Sequence, residues 1–487
     1  MPIRRGHSFP TPKSAAQRTP QQGAPFSLRV ALALLTSAVG CLSLAAHGQA
    51  PPASGRHVLV ISVDGMRSSY YVSPPSGLQI PNIQRLKAAG SFAEGVEGVY
   101  PTLTYPSHTT LVTGRLPAEH GVYTNLSSRD PGKNPHDWFW FASAIKTATL
   151  WDEAHEHHLT TAAVAWPVTA GAPIDWDVPE IWDPAKPAAA DALYVARFMN
   201  PKVSLELLTA LGPPHPGTED DANRVRIASY FLTEHKPDLT LVHLEGLDQA
   251  QHSTGPASPL ANHALERIDG HIAELLDAVK KAGLAASTDV FVVSDHGFLP
   301  VERRIRPNVL LAKAGLLTAD EAGNITGGKI MTVVNDGSFF VYWPNGSGLE
   351  AAVDSALEPM RDQGLAWAVL DRQALREMGA DPQASLALEA PEGAEFVPQA
   401  TGPLVKPLSR QEGTHGFLPF RSGLEASFIA WGPDVKPGID LHLVRMTAVA
   451  PTILEALGVK DPKFGDSPPL DMIFKPRRPS PAHTVRH

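Results

Sequence analysis

The chain has 487 residues, 43% of them hydrophobic and 19% charged, with a formal net charge of −9. It is long enough for one large globular domain or two to three ordinary ones. The acidic balance excludes a polyanion such as duplex DNA as the expected partner.

The first fifty residues stand apart. Arg4, Arg5, Lys13, Arg18 and Arg29 are their only formal charges, and an apolar run from Val30 to Ala46 leads to small residues at Gly48-Gln49-Ala50. This is the pattern of a signal peptide, residues 1–50, and it implies a secreted or periplasmic mature chain. The apolar run approaches spanning length, so an N-terminal membrane anchor is the alternative. Ala38-Val39-Gly40-Cys41 also resembles a bacterial lipoprotein cleavage site, with Ala38 where Leu is usual. Cys41 is the only cysteine, so a processed chain has no disulfide and no thiolate metal ligand. Loss of the five basic residues takes the formal balance from −9 to −14.

Arg56 to Val63 is a continuous apolar run of strand length, as in a parallel strand buried on both faces, and it ends at Asp64-Gly65. A carboxylate there stands where open α/β sheets place their sites, or else caps a turn. Ile80 to Gly90 reads as a helix. Tyr100 to Gly114 then presents Thr102-Leu103-Thr104-Tyr105-Pro106, a hydroxyl-bearing loop running into a short apolar helix closed by Gly114. A hydroxyl at that junction lies in the positive end of a helix dipole, which suits a phosphate, or it caps the turn. Thr149 to His158 is helical; its His155, His157 and His158 form either a metal cluster or a solvated helix end. Strands follow at Thr160 to Trp166 and at Asp238 to Leu244, the second running into Asp248 and His252, four apart and so on one helical face.

Ser258 to Ala282 has the spacing of an amphipathic helix. Asp289 to Val293 is a strand that delivers Ser294-Asp295-His296-Gly297. Strands alternating with helices predict a mostly parallel sheet covered on both faces. From 305 to 404 the pattern changes to a small α+β insertion, with a strand at Ser338 to Trp343 and a helix at Leu349 to Gln363. The core pattern, a catalytic domain over 56–304 and 405–470, returns at Gly413-Thr414-His415-Gly416 with a strand at Ser427 to Trp431 and a helix at Met446 to Gly458. A basic, Pro-rich tail over 472–487 is expected to be loosely held.

The strand-end groups Asp64, Thr104, Asp248, His252, Asp295, His296 and His415 are oxygen and imidazole donors without sulfur. They suit zinc, or manganese or iron in a wetter site. Three carboxylates and three imidazoles are too many for one tetrahedral ion and enough for two, the arrangement used for in-line phosphoryl displacement.

Pro101 to Gly114, with Pro117 and His120-Gly121 after it, resembles the nucleophile motif of the nucleotide pyrophosphatase/phosphodiesterase branch of the alkaline phosphatase superfamily. Asp64-Gly65, Asp248 to His252 with Gly255-Pro256, Ser294 to Gly297 and Thr414 to Gly416 are similar to its other motifs, in the same order. The resemblance implies an alkaline phosphatase-like fold and two zinc ions, one held by Asp64, Asp295 and His296 with Thr104, the other by Asp248, His252 and His415. It implies Thr104 as the nucleophile of a phospho-threonine route, Asn125 as donor to a non-bridging phosphate oxygen, and Tyr105, where Phe is frequent, against a nucleobase. The implied substrate is a small phosphodiester or nucleotide. Ser107 in place of Asn, and Gly246-Leu247 in place of the Pro before the ligand Asp, depart from the pattern.

A phosphomonoesterase of the same superfamily is the alternative. Its Thr-using branch carries a Lys-x-Arg pair where this chain has Trp166-Pro167-Val168-Thr169, which favours a diester. A sulfatase lacks its Cys/Ser-x-Pro-x-Arg motif here. A non-catalytic metal-binding protein would be expected to have lost the nucleophile or ligands, and all are present.

Overall fold

The run His57–Val63 forms β1, the strand on which the fold is laid. Leu59, Ile61 and Val63 enter one hydrophobic cluster while Val58 and Val60 enter another, so both faces are covered and no polar alternation appears. The computed structural model describes residues 55–127, 138–182, 194–212 and 221–476. The expected export segment with Cys41 and the residues after 476 lie outside these.

Seven further strands complete the central sheet: β2 Ser91–Phe92, β3 Thr161–Val164, β4 Trp176–Val178, β5 Leu239–Leu244, β6 Thr288–Val293, β7 Phe428–Trp431 and β8 Ile439–Asp440. Their order is β8-β2-β7-β6-β1-β5-β3-β4. From β6 to β4 all pairs are parallel, and β7 alone runs against its neighbours. The mixed α/β class and mostly parallel sheet expected from the sequence are therefore present. One face carries α1 (Thr104–Thr113), Leu150–Glu156 and Val449–Leu457; the other carries Pro81–Ala89, α2 (Asp221–Glu234) and α4 (Pro259–Lys281). Between them α3 (Gly246–Thr254) springs from the end of β5.

Because β6, β1 and β5 are adjacent, their carboxyl ends bring Asp295, Asp64 and the start of α3 side by side. The segment expected to be an insertion leaves and returns through a stem of two antiparallel strands, Leu299–Ile305 and Val405–Thr414, the first of which also pairs with Gly393–Phe396. It contains a four-stranded antiparallel sheet packed on the helix Glu350–Asp362. One expectation is corrected: the chain is not loose from residue 472. Ile473 is fully buried, Phe474 nearly so, and Lys475 N–H donates to Asp434 O at 2.8 Å, because two apolar side chains there complete the cluster beneath Val449–Leu457.

Candidate active site

Ligand atoms of Asp64, Asp295 and His296 lie within 4.8 Å of one another, as do those of Asp248, His296 and His415. His296 belongs to both groups, and its ring stacks on that of His415 at 3.7 Å. His252 stands at the margin: its Nε2 is 3.5 Å from Asp248 Oδ2, and its side chain is 39% exposed. His155, His157 and His158 are elsewhere; His155 pairs with Asp175 at 3.2 Å.

Each of two carboxylates has one oxygen anchored and one left over. Asp295 Oδ1 accepts the N–H of Gly65 at 3.1 Å and of His296 at 3.0 Å, and Asp64 Oδ2 meets His243 Nε2 at 3.0 Å. Asp295 Oδ2, Asp64 Oδ1, Asp248 Oδ1 and His296 Nε2 are buried with no hydrogen-bond partner. The three histidines expected as ligands are also oriented alike. Nδ1 of His252, His296 and His415 lies 3.1, 3.1 and 2.9 Å from the carbonyls of Gly413, Gly297 and Thr102, which places the proton on Nδ1 and leaves Nε2 with its lone pair. Burial holds His296 well below the usual imidazole range and pushes His415 down to about 4, so both are neutral. Burial, with the neighbouring carboxylates Asp295 and Asp248, pushes the Asp64 carboxyl well up. Asp295 is pushed up to about 7, chiefly by burial. Buried oxygens and lone pairs that face one another with no hydrogen-bond partner fit a divalent cation.

Thr104 is the first residue of α1, not its cap. The cap position is Leu103, with no side-chain cap bond. Every later residue of α1 is buried and Thr104 alone is partly exposed. One turn on, His108 Nδ1 donates to Thr104 O at 2.9 Å and lies 3.5 Å from Asp295 Oδ2. His108 Nε2 meets the Ser62 hydroxyl at 2.9 Å. The Thr104 peptide is thereby held beside the Asp64, Asp295 and His296 group. Asn125 Oδ1 accepts the Tyr105 N–H at 3.0 Å, which sets the carboxamide over the first turn of α1.

Tyr105 differs from expectation. Its ring is fully buried, 5.1 Å from Trp138, and its hydroxyl donates to Glu180 Oε1 at 2.9 Å. The extra oxygen that separates Tyr from Phe draws the ring inward to a carboxylate, so it offers no free face to a nucleobase.

His415 is fixed from two sides. Thr102 O accepts its Nδ1 and also the Gly416 N–H at 2.9 Å. From the insertion, the Gly337 N–H donates to His415 O at 2.9 Å. Gly416 has φ +82°, and a Cβ on it would stand 1.9 Å from Asn335 O, so only glycine allows this approach.

Four residues that matter here, His243, Glu180, Asp221 and Arg224, carried no weight in the sequence. His243 lies between Asp64 and Glu180. Asp221 accepts the N–H groups of Glu245 at 2.9 Å and Gly246 at 3.0 Å, holding the first turn of α3. Arg224 pairs with Glu245 at 3.0 Å. A Cβ at position 246 would lie 2.7 Å from Asp221 Oδ2, which accounts for Gly246. The available signal was His243 itself, a polar residue inside the buried run of β5.

A model of the type I phosphodiesterase/nucleotide pyrophosphatase family matches residues 58–418. The chain belongs to this family. All the expected site residues, from Asp64 to His415, fall in the matched span of the phosphodiesterase model. Ectonucleotide pyrophosphatase/phosphodiesterase family member 1 of Mus musculus is 24% identical over 460 residues, which cover 90% of this chain and 44% of the mouse protein. Bis(5'-adenosyl)-triphosphatase ENPP4 of Bos taurus is 28% identical over 283 residues, 55% of this chain and 53% of the bovine protein. The chain thus spans about half, or less, of the length of these relatives. Among solved structures, human ectonucleotide pyrophosphatase/phosphodiesterase 5 has a TM-score of 0.61 at 20% identity, covering 84% of this chain and 97% of that one. An inactive form of the murine protein, solved in complex with AMP, has a TM-score of 0.59 at 19% identity over 83% and 96% of the two chains. These likenesses show a shared fold.

Proposed function

We propose that this phosphodiesterase-family chain is a two-zinc hydrolase of phosphodiester or phosphoanhydride bonds that works through a phospho-threonine intermediate. The observation that carries it is the set of buried, unpartnered atoms on Asp64, Asp248, Asp295 and His296, beside the partly exposed Thr104. Asp64, Asp295 and His296, with Thr104, would hold one ion; Asp248, His252 and His415 the other. When bound, the two ions supply Lewis acidity that makes the Thr104 hydroxyl a nucleophile near neutrality and takes up charge on the leaving oxygen.

The chain's own residues do the rest. Thr104 Oγ1 gives up its proton to solvent and attacks phosphorus, the P–O bond to the leaving alcohol or phosphate breaks with a proton from solvent going to that oxygen, and the phosphoryl group with its remaining ester stays on Thr104 until water displaces Oγ1. The N-terminal end of the α1 dipole adds to the field at that phosphorus. Asn125, its oxygen held by Tyr105 N–H, keeps its NH2 for a non-bridging phosphate oxygen. Trp166, Val168 and Thr169 are fully buried and this stretch has no cation, which favours a singly charged diester over a monoester. A nucleotide is a fitting half of the substrate, in keeping with the AMP held by murine ectonucleotide pyrophosphatase/phosphodiesterase 5. The insertion 305–404 serves as a wall of the catalytic domain. Export through residues 1–50 fits this chemistry; among the described residues no helix is long and apolar enough to cross a membrane.

The test is a paired assay on bis-p-nitrophenyl phosphate and p-nitrophenyl phosphate, with zinc and after chelation. Diester turnover that disappears on chelation and returns with zinc is expected. A higher kcat/KM on the monoester overturns the diester assignment, and full activity after thorough metal removal overturns the metal.

A further inference from the structure

Along the C-terminal ends of β1 and β5, side chains alternate between faces. Ser62 is paired with His243 across the two strands, and Asp64, two residues beyond Ser62, falls on the same face. His243 therefore stands diagonal to Asp64, facing α1. Its Nε2 is 3.0 Å from Asp64 Oδ2 and its Nδ1 is 2.8 Å from Glu180 Oε2 and 3.1 Å from Ala165 O. Both ring nitrogens are thus engaged, one by each carboxyl group, and the ring bridges Asp64 and Glu180. The other Glu180 oxygen takes the Tyr105 hydroxyl at 2.9 Å. His243, Glu180, Tyr105 and Asp64 are each less than a tenth exposed. Four side chains thus form one unbroken line from a metal ligand to the residue next to Thr104.

We propose that His243 is a positioning residue that presents Asp64 Oδ1 to the metal, and that Glu180 and Tyr105 extend it into a strut tying that ligand to the first turn of α1. This rests on the metal reading of the site given above. With Oδ2 occupied by His243, the Asp64 carboxylate cannot rotate away, and Oδ1 is the oxygen left to face Asp295 and His296. Because Glu180 holds both His243 and Tyr105, one carboxylate fixes the ligand and the nucleophile turn relative to each other. Loss of the His243 end should loosen one ion of two; loss of the Tyr105 end should leave both ions and misplace Thr104.

The imidazole can be halved. In H243Q the amide takes the place of Nε2 and keeps the bond to Asp64, whereas in H243N it takes the place of Nδ1 and keeps only the Glu180 side. Zinc stoichiometry and affinity are read by competition with a chromophoric chelator, and folding by thermal denaturation. H243N should weaken one of two zinc ions by about 10- to 100-fold, the range for an outer-shell partner, while H243Q stays within a few-fold of the parent. Y105F should bind zinc as the parent does, with kcat reduced and KM little changed. If H243N is recovered unfolded, E180Q carries the test, with an expected several-fold loss at the same single ion. Parental zinc affinity in H243N, or in E180Q when it stands in, overturns the strut, as do equal losses in H243N and H243Q. A parent chain that takes no zinc refutes the metal reading along with the strut.

Discussion

Removing the metal should leave a protein whose stability falls as pH rises, the opposite of the usual acid lability. Asp295 is fully buried, and its carboxyl is pushed from the ordinary 3.8 up to about 7, chiefly by burial; Asp64 moves the same way. Between about pH 4 and pH 7 the unfolded chain has released this proton and the folded chain has kept it, so the folded state binds more protons and loses stability with rising pH. The three-unit shift corresponds to a ceiling on the order of 4 kcal/mol, about half of it lost between pH 5 and pH 7. For a chain of this size that is on the order of 3–5 °C in Tm. Zinc should reverse the trend, because it would bind the ionised carboxylates with an affinity that rises as they deprotonate. Thermal denaturation of chelator-stripped and zinc-loaded protein from pH 5 to pH 8 measures both curves. The gap between them should widen with pH. Parallel curves, or a gap largest at pH 5, would refute the assignment of these carboxylates to a metal.

Thr104→Ala should lower diester kcat by at least about 10³-fold while leaving zinc stoichiometry intact, and Thr104→Ser should keep substantial activity; an alanine variant as fast as the parent would make the hydroxyl a spectator. Gly416→Ala forces a side chain into the left-handed region and against Asn335 O, so a cost of at least about 1–2 kcal/mol together with weaker zinc binding is expected, and parental zinc affinity would show that His415 tolerates the shift. Asp221→Ala removes the carboxylate from the first turn of α3. It should cost about 1–2 kcal/mol in thermal denaturation and weaken only the ion assigned to Asp248, His252 and His415, which zinc titration of the variant will show.

The central sheet was legible because its strands are buried on both faces and so appear as uninterrupted apolar runs: β1, β5 and β6 stand out to within a residue or two. Asp64 and the Asp295-His296 pair stand out for a related reason, since each follows such a run closely. What the sequence withheld is register. His243 and Ser62 are 181 positions apart in the chain, and nothing local says that they face each other across two strands. Tyr105 was misjudged because its fate depends on Glu180, a partner 75 residues away. Helix α2 passed unmarked, since Arg224, Asn223 and Asp221 interrupt its apolar stripe; those polar residues are buried, Asp221 and Arg224 against the start of α3 and its flanking Glu245.

The two-stranded stem of the insertion has a consequence for how such a protein can diversify. Leu299–Ile305 and Val405–Thr414 fix the exit and return of the chain, so loops strung between them can lengthen or be replaced at a loop-closure cost that grows only logarithmically, provided the Asn335 to Gly337 turn still meets His415 and Gly416, Gly393–Phe396 still pairs with Leu299–Ile305, and Glu389 still holds Leu418 and Arg421. The donor set is thereby insulated from changes in the wall above it. New specificities can be tried on one side of the stem while the chemistry on the other side stays as it is.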